Sequence, residues 1–102
     1  MKLIKDLSEQ IDEEIDGARC YAKMAIHYKG ENLSVARLMH SLSEEEMGHV
    51  NKLHEAVARA ITEYRSSNGD PPAPMMAVYE YLHDKQMEKA AEVKMLQKQF
   101  DE

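Results

Sequence analysis

The sequence predicts an all-α protein, on three observations. Apolar residues recur every three or four positions over long stretches, the prolines are confined to one short segment, and no run shows the two-residue period of a strand. Two breaks divide the chain into three helices. "HYKGEN" (His27 to Asn32) places Gly30 between two long periodic segments and reads as a tight turn. "SSNGDPPAP" (Ser66 to Pro74) is a polar linker, in which Gly69 can stop a helix and the prolines cannot continue one. The expected helices run from Leu3 to Lys29, Leu33 to Tyr64 and Met75 to Phe100. Residues 1–65 then form an antiparallel helical hairpin, residues 66–74 a linker and residues 75–102 a C-terminal helix, all within one domain and without internal repeat.

Composition removes several function classes. A net charge of −6 over 102 residues argues against nucleic acid and anionic membrane surfaces as partners, because both require a basic face. The single cysteine, Cys20, cannot close an intrachain disulfide, and the opening "MKLIKDLSEQ" has no apolar run of signal-peptide type. No stretch is long and apolar enough to span a bilayer. A cytoplasmic location is the expectation.

Helical phase then singles out three residues. With Glu14 as zero, Leu3, Leu7, Ala18, Tyr21, Ala25 and Tyr28 fall within about 40° of it on the first helix. With Glu46 as zero, Val35, Met39, Leu42, Val50, Leu53, Val57, Ala60 and Tyr64 do the same on the second, and His49 lies about 60° away. Two carboxylates are thus expected at the centres of two apolar stripes. An isolated buried carboxylate is costly, so it needs a partner. Gly30 is the midpoint of positions 14 and 46, so an antiparallel hairpin sets Glu14 and Glu46 level, with His49 one turn along.

A Glu-x-x-His on one helix opposite a Glu from its neighbour is half of a two-metal carboxylate site. The full site takes a Glu from each of two helices and Glu-x-x-His from each of two others. Carboxylates offset the charge of two cations and can bridge them, and imidazole nitrogen suits iron and other first-row metals. One chain supplies two carboxylates and one imidazole. Two copies about a two-fold axis supply the complete set, so a homodimer with the site at its interface is expected. The competing reading of Glu14, Glu46 and His49 is a buried polar cluster that fixes helix register.

The segments "EEIDGARCY" (Glu13 to Tyr21) and "SEEEMGH" (Ser43 to His49) resemble the two helices of one half of the ferritin-like superfamily, as in rubrerythrins. The resemblance covers the first two thirds of the chain. A short three-helix chain with half the bundle is most similar to the encapsulated-ferritin type, whose subunits pair to build a di-iron ferroxidase centre and assemble into rings. The resemblance implies a ferritin-like four-helix bundle formed by dimerisation. It also implies iron as the metal, two ions shared between two subunits, oxidised from Fe2+ with O2 or peroxide for iron storage or detoxification. Glu14, Glu46 and His49 become the catalytic iron ligands, and Tyr21, spaced as in that family, a tyrosine that orients a ligand carboxylate. Glu13, Asp16 and Glu45 (with Glu44 beside them) become an acidic route for Fe2+ into the site; a solvated face is the plainer reading.

Other features set bounds on that implication. No four-cysteine segment is present, so an on-board rubredoxin-like electron carrier is not expected. An encapsulin shell, and with it a nanocompartment location, is a further partner that the resemblance raises, although "KMLQKQFDE" does not resemble its cargo tags. The third helix carries an apolar stripe of Met75, Tyr79, Leu82, Ala90, Val93, Leu96 and Phe100, near heptad spacing. It either covers the outside of the hairpin, over a second seam of Ile4, Ile11 and Ala22, or joins neighbouring dimers. In a second Glu-x-x-His, Glu80 lies off that stripe and is read as solvated, and His83 is read as a flanking residue. His27, His40 and His54 are read as surface histidines, and Cys20 as a plain thiol. The alternatives to a ferroxidase are a non-redox Mn2+ or Zn2+ site and a purely structural helical oligomer or adaptor.

Overall fold

The computed structural model describes residues 2–102, and its elements are α1 (Lys2–Tyr28), α2 (Leu33–Asn68) and α3 (Ala73–Asp101), with no strand among the described residues. All three helices start and stop within a few residues of the sequence expectation. The largest difference is at the end of α2, which continues for one further turn through Ser66, Ser67 and Asn68. These residues satisfy late carbonyls of their own helix: the Ser66 hydroxyl donates to the Thr62 carbonyl at 3.1 Å, and Asn68 Nδ2 to the Tyr64 carbonyl at 3.4 Å. Gly69, at φ 77°, then ends the helix, its N–H donating to the Arg65 carbonyl at 3.1 Å.

The α1–α2 turn is equally local. The Tyr28 carbonyl accepts from the N–H groups of Glu31 at 3.0 Å and Asn32 at 2.8 Å. Asn32 caps α2, its side-chain oxygen accepting from the Val35 N–H at 3.1 Å. At about 1.5 Å per residue, the 36 residues of α2 account for the 55 Å long axis of the molecule. Pro71 and Pro72 turn the chain, and α3 starts with a proline in its first turn, where a missing N–H costs nothing. It then runs back parallel to α1. Ser8 meets Gln86, Asp16 meets Lys89, Arg19 meets Glu92 and Lys29 meets Phe100, so the two helices keep a near-constant offset along their length.

The core lies on a different phase from the one the wheel predicts. Ile4, Ile11, Ile15, Ala18, Ala22 and Ala25 are the buried apolar residues of α1, together with Ala36, Met47, Val50, Val57, Ala60 and Ile61 of α2 and Ala90, Val93 and Phe100 of α3; of these, Ala18, Ala25, Val50, Val57 and Ala60 lie on the expected stripes of α1 and α2. Leu3, expected inside, is 55 % exposed, and Leu7, Tyr21 and Tyr28 are half-buried. The reason is that α1 has two partners. Its buried centre falls between the side facing α2 and the side facing α3, which is the Ile4–Ile11–Ala22 seam. α3 therefore covers the outside of the hairpin, the first of its two expected roles. Its own stripe holds at Ala90, Val93 and Phe100, while Leu82 remains exposed.

Two polar layers cross this core. Gln86 of α3 is buried and donates to the Ser8 carbonyl at 3.2 Å and hydroxyl at 3.0 Å. Ser43 of α2 is fully buried, donates to the Ala18 carbonyl at 2.7 Å and accepts from Gln97 at 3.0 Å. Both layers link α3 to the hairpin, and Ser8, Ser43 and Gln86, the buried polar side chains in them, all have partners. Among the described residues, no helix is long and apolar enough to cross a membrane.

Candidate metal centre

Glu14 projects from the middle of α1, and Glu46 and His49 from the middle of α2, level with it across the hairpin. His49 Nδ1 stands 3.5 Å from Glu14 Oε2 and 3.9 Å from Glu46 Oε1. One donor atom from each of the three lies within 4.8 Å of the others, and no other group of three or more metal-capable His, Cys, Asp or Glu side chains occurs among the described residues. Donors that share one ion at about 2.1 Å each stand roughly 3 to 3.5 Å apart. The observed spacing is therefore one small side-chain adjustment from a ligand set. Two anionic oxygens and one imidazole nitrogen suit a first-row divalent cation.

The site sits at the rim of the hairpin and not at its centre. The side chains of Glu14, Glu46 and His49 are 21 %, 25 % and 53 % exposed, which corrects the expectation of two carboxylates at the middle of buried stripes. The cause is the rotation of the core toward α3. It leaves the ligands on the side of α1 and α2 that α3 does not cover.

Two neighbours of the site escape a hydropathy reading. Gly17, one turn past Glu14, faces Glu46: a Cβ placed there would lie 3.5 Å from Glu46 Oε2. A glycine in the middle of a helix costs about 1 kcal/mol relative to alanine, and that cost was the available signal. Gln10, one turn before Glu14, donates to Glu14 Oε1 at 3.5 Å. Tyr21 is half-buried on the same side of α1 as Glu14, and no hydrogen bond joins its hydroxyl to Glu14 or Glu46 among the described residues.

The flanking acids divide. Glu13 and Glu45 are exposed. Asp16 turns instead toward α3, 3.9 Å from Lys89, and Glu44 pairs with His40 at 3.2 Å. Glu80 is exposed, as expected, and Cys20 is an exposed thiol. His27 is at the surface, whereas His40 and His54 are not. The His40 ring stacks on Phe100 with centroids 4.3 Å apart, and His54 Nε2 lies 3.3 Å from Gln86 Oε1. Both histidines were expected outside because the wheel counts only the face toward one partner helix; α3 supplies the second.

No protein-family model matches the chain, and comparison with curated proteins and with solved structures finds no match.

Proposed function

We propose that this chain is half of a ferritin-like four-helix bundle. Two copies pair across the open side of the α1–α2 hairpin, hold two Fe2+ ions between them and oxidise them with O2 or peroxide, in iron detoxification or storage. The observation that carries the reading is the convergence of Glu14, Glu46 and His49 at mid-hairpin, on the side left free by α3. Three donors per chain are half of the two-metal carboxylate set. The rim around them supports pairing: Leu3 and Leu38 are 55 % and 54 % exposed, each three helical turns from a ligand on the same side of its helix.

Iron is the substrate in this reading. Each Fe2+ gives up one electron, and O2 taking up two of them leaves as peroxide. Glu14 and Glu46 offset the charge of the two cations, which grows on oxidation, and His49 supplies the neutral nitrogen donor. A facing subunit would bury His49 and exclude bulk water, which strengthens every interaction at the site. A lone dimer has no cavity for mineral, so a storage role requires a larger assembly, whether a ring of dimers or a surrounding shell.

A second reading has its own support. The three donors already converge within one chain, which suits a mononuclear Zn2+ or Mn2+ site with three protein ligands and an open position, without redox turnover.

Anaerobic titration of Fe2+ into the apo protein, followed by calorimetry and by mass, tests the proposal. Saturation at one iron per chain, coupled to dimer formation, supports it, as does an oxidation signal on admitting air that Glu46→Gln abolishes. Iron binding to a chain that stays monomeric, or oxidation no faster than in protein-free buffer, sinks the ferroxidase and leaves the non-redox site.

A further inference from the structure

The two halves of α3 are held to the hairpin by different means. From Ala90 onward the helix is anchored: Val93 is fully buried, Arg19 Nε lies 3.1 Å from Glu92, and Phe100 packs with Ala25 and Ala36. Before Gln86, by contrast, a cleft of about 880 Å3 opens between α3 and the start of α1, lined in part by Ile4, Ser8, Met76, Tyr79 and Leu82. A segment with few close-packed neighbours opens at low free energy. Met76 and Tyr79 pack against the core on this half, and beside them lies one polar layer contributed by all three helices. Gln86 donates to Ser8 of α1, and its Oε1 lies 3.3 Å from His54 Nε2 of α2. The His54 and His83 rings stand 5.3 Å apart, and the Nδ1 of His83 is buried with no hydrogen-bond partner.

A neutral imidazole at His54 fits this layer better than a cation. Burial holds His54 below its ordinary value of 6.5; the hydrogen bond to Gln86 opposes that shift, and the charge of His83 adds to it. The other titratable groups around the pair are few. α1 presents Asp12, half-buried one turn past Ser8. α3 presents Tyr79, whose ring is 5.9 Å from His83 and whose burial raises its hydroxyl further from titration, together with the exposed Asp84 and Lys85. α2 itself presents the exposed Lys52 and Glu55. Of all these, only His83 acts on His54 through its charge.

We propose that the layer of Ser8, His54, His83 and Gln86 is a pH-sensitive latch. It seats the first half of α3 on the hairpin at neutral pH and releases that half on acidification, uncovering the apolar lining of the cleft while the Phe100 end stays anchored. The sign follows from linkage. Above 6.5 the docked and released states are both neutral, and pH has no effect. Below it the released state takes a proton that the docked state refuses, so docking weakens until the docked-state value is passed. The latch is independent of the metal centre and stands or falls without it.

Amide hydrogen exchange on the full chain, corrected for the intrinsic pH dependence of exchange, tests it. Between about pH 7.5 and about pH 5, protection over residues 75–86 is expected to fall, while residues 90–100 hold theirs. His54→Gln, first checked for native helicity, should flatten that dependence, and His83→Gln, checked likewise, should reduce it by removing the lesser, charge contribution. Protection that ignores pH, a loss spread evenly over the three helices, or a pH dependence unchanged in both variants would each overturn the proposal.

Discussion

Gly17 and Glu46 face each other across the α1–α2 seam, close enough that a methyl group on Gly17 would touch Glu46 Oε2 at 3.5 Å. This is ordinary contact, so alanine fits without moving the carboxylate. Gly17→Ala should stabilise the fold by about 0.5 to 1 kcal/mol, the usual gain for replacing a mid-helix glycine, and leave metal uptake in place. Gly17→Leu carries further carbons beyond that contact and must displace the carboxylate. It should weaken metal binding at least about tenfold, or 1.4 kcal/mol, with helicity unchanged. Urea unfolding and metal titration of the two variants check the pair; equal metal affinity in both would show that Glu46 is not held where a metal needs it.

Ser43 makes a second prediction, because it is fully buried yet polar and joins α1, α2 and α3 through the Ala18 carbonyl and Gln97. Ser43→Ala removes the shared hydroxyl, but Gln97 is half-buried and can reach water. The expected cost is about 1 kcal/mol. Ser43→Val adds volume to a packed site as well as removing the hydroxyl, and should cost about 2 kcal/mol more. Denaturant midpoints for the two variants decide it, and a valine variant as stable as the alanine one would mean the layer has spare room.

The legible part of this protein is the part that depends on chain geometry alone. Helix limits followed from Gly30, Gly69 and the proline cluster, and the level placement of Glu14 with Glu46 followed from a turn centred on Gly30. Both needed only residue counts. The rotation of the core was not legible, since α1 answers to α2 and α3 together and a wheel drawn around Glu14 assumes one partner. The same assumption placed Leu3 inside and His54 outside. Gln86 was hidden for a related reason: a glutamine on an apolar stripe reads as an interruption, and its partners, Ser8 and His54, lie 78 and 32 residues away in the chain.

Phe100 is the anchor of the α3 C-terminus. It packs with Ala25 and Ala36, stacks on His40, and its carbonyl accepts from the Lys29 ammonium, which also lies over its ring. Phe100→Ala should cost about 3 kcal/mol, the lower end of the range for a buried phenylalanine, because it sits near the end of a helix that can fray. Loss of amide protection should be concentrated in residues 93–101. A stability change below 1 kcal/mol would mean that the polar layers alone hold α3.

Leu38 offers a test that separates the proposed metal-linked dimer from the fold of the single chain. It is 54 % exposed, on the side of α2 that carries His49, and contributes little to the core of one subunit. Leu38→Glu should therefore change the stability of the monomer by no more than about 0.5 kcal/mol, as expected of surface substitutions. In a two-fold dimer closed over Glu14, Glu46 and His49, however, the new carboxylate meets the partner's apolar rim. The cost of burying it falls on assembly alone. Sedimentation at increasing Fe2+ should then show iron-dependent dimers for the native chain and monomers for the variant, with unfolding curves that coincide in the absence of iron. Dimers that persist unchanged in Leu38→Glu would place the subunit contact on another face, most simply the exposed side of α3, and would leave each metal centre to the three donors of its own chain.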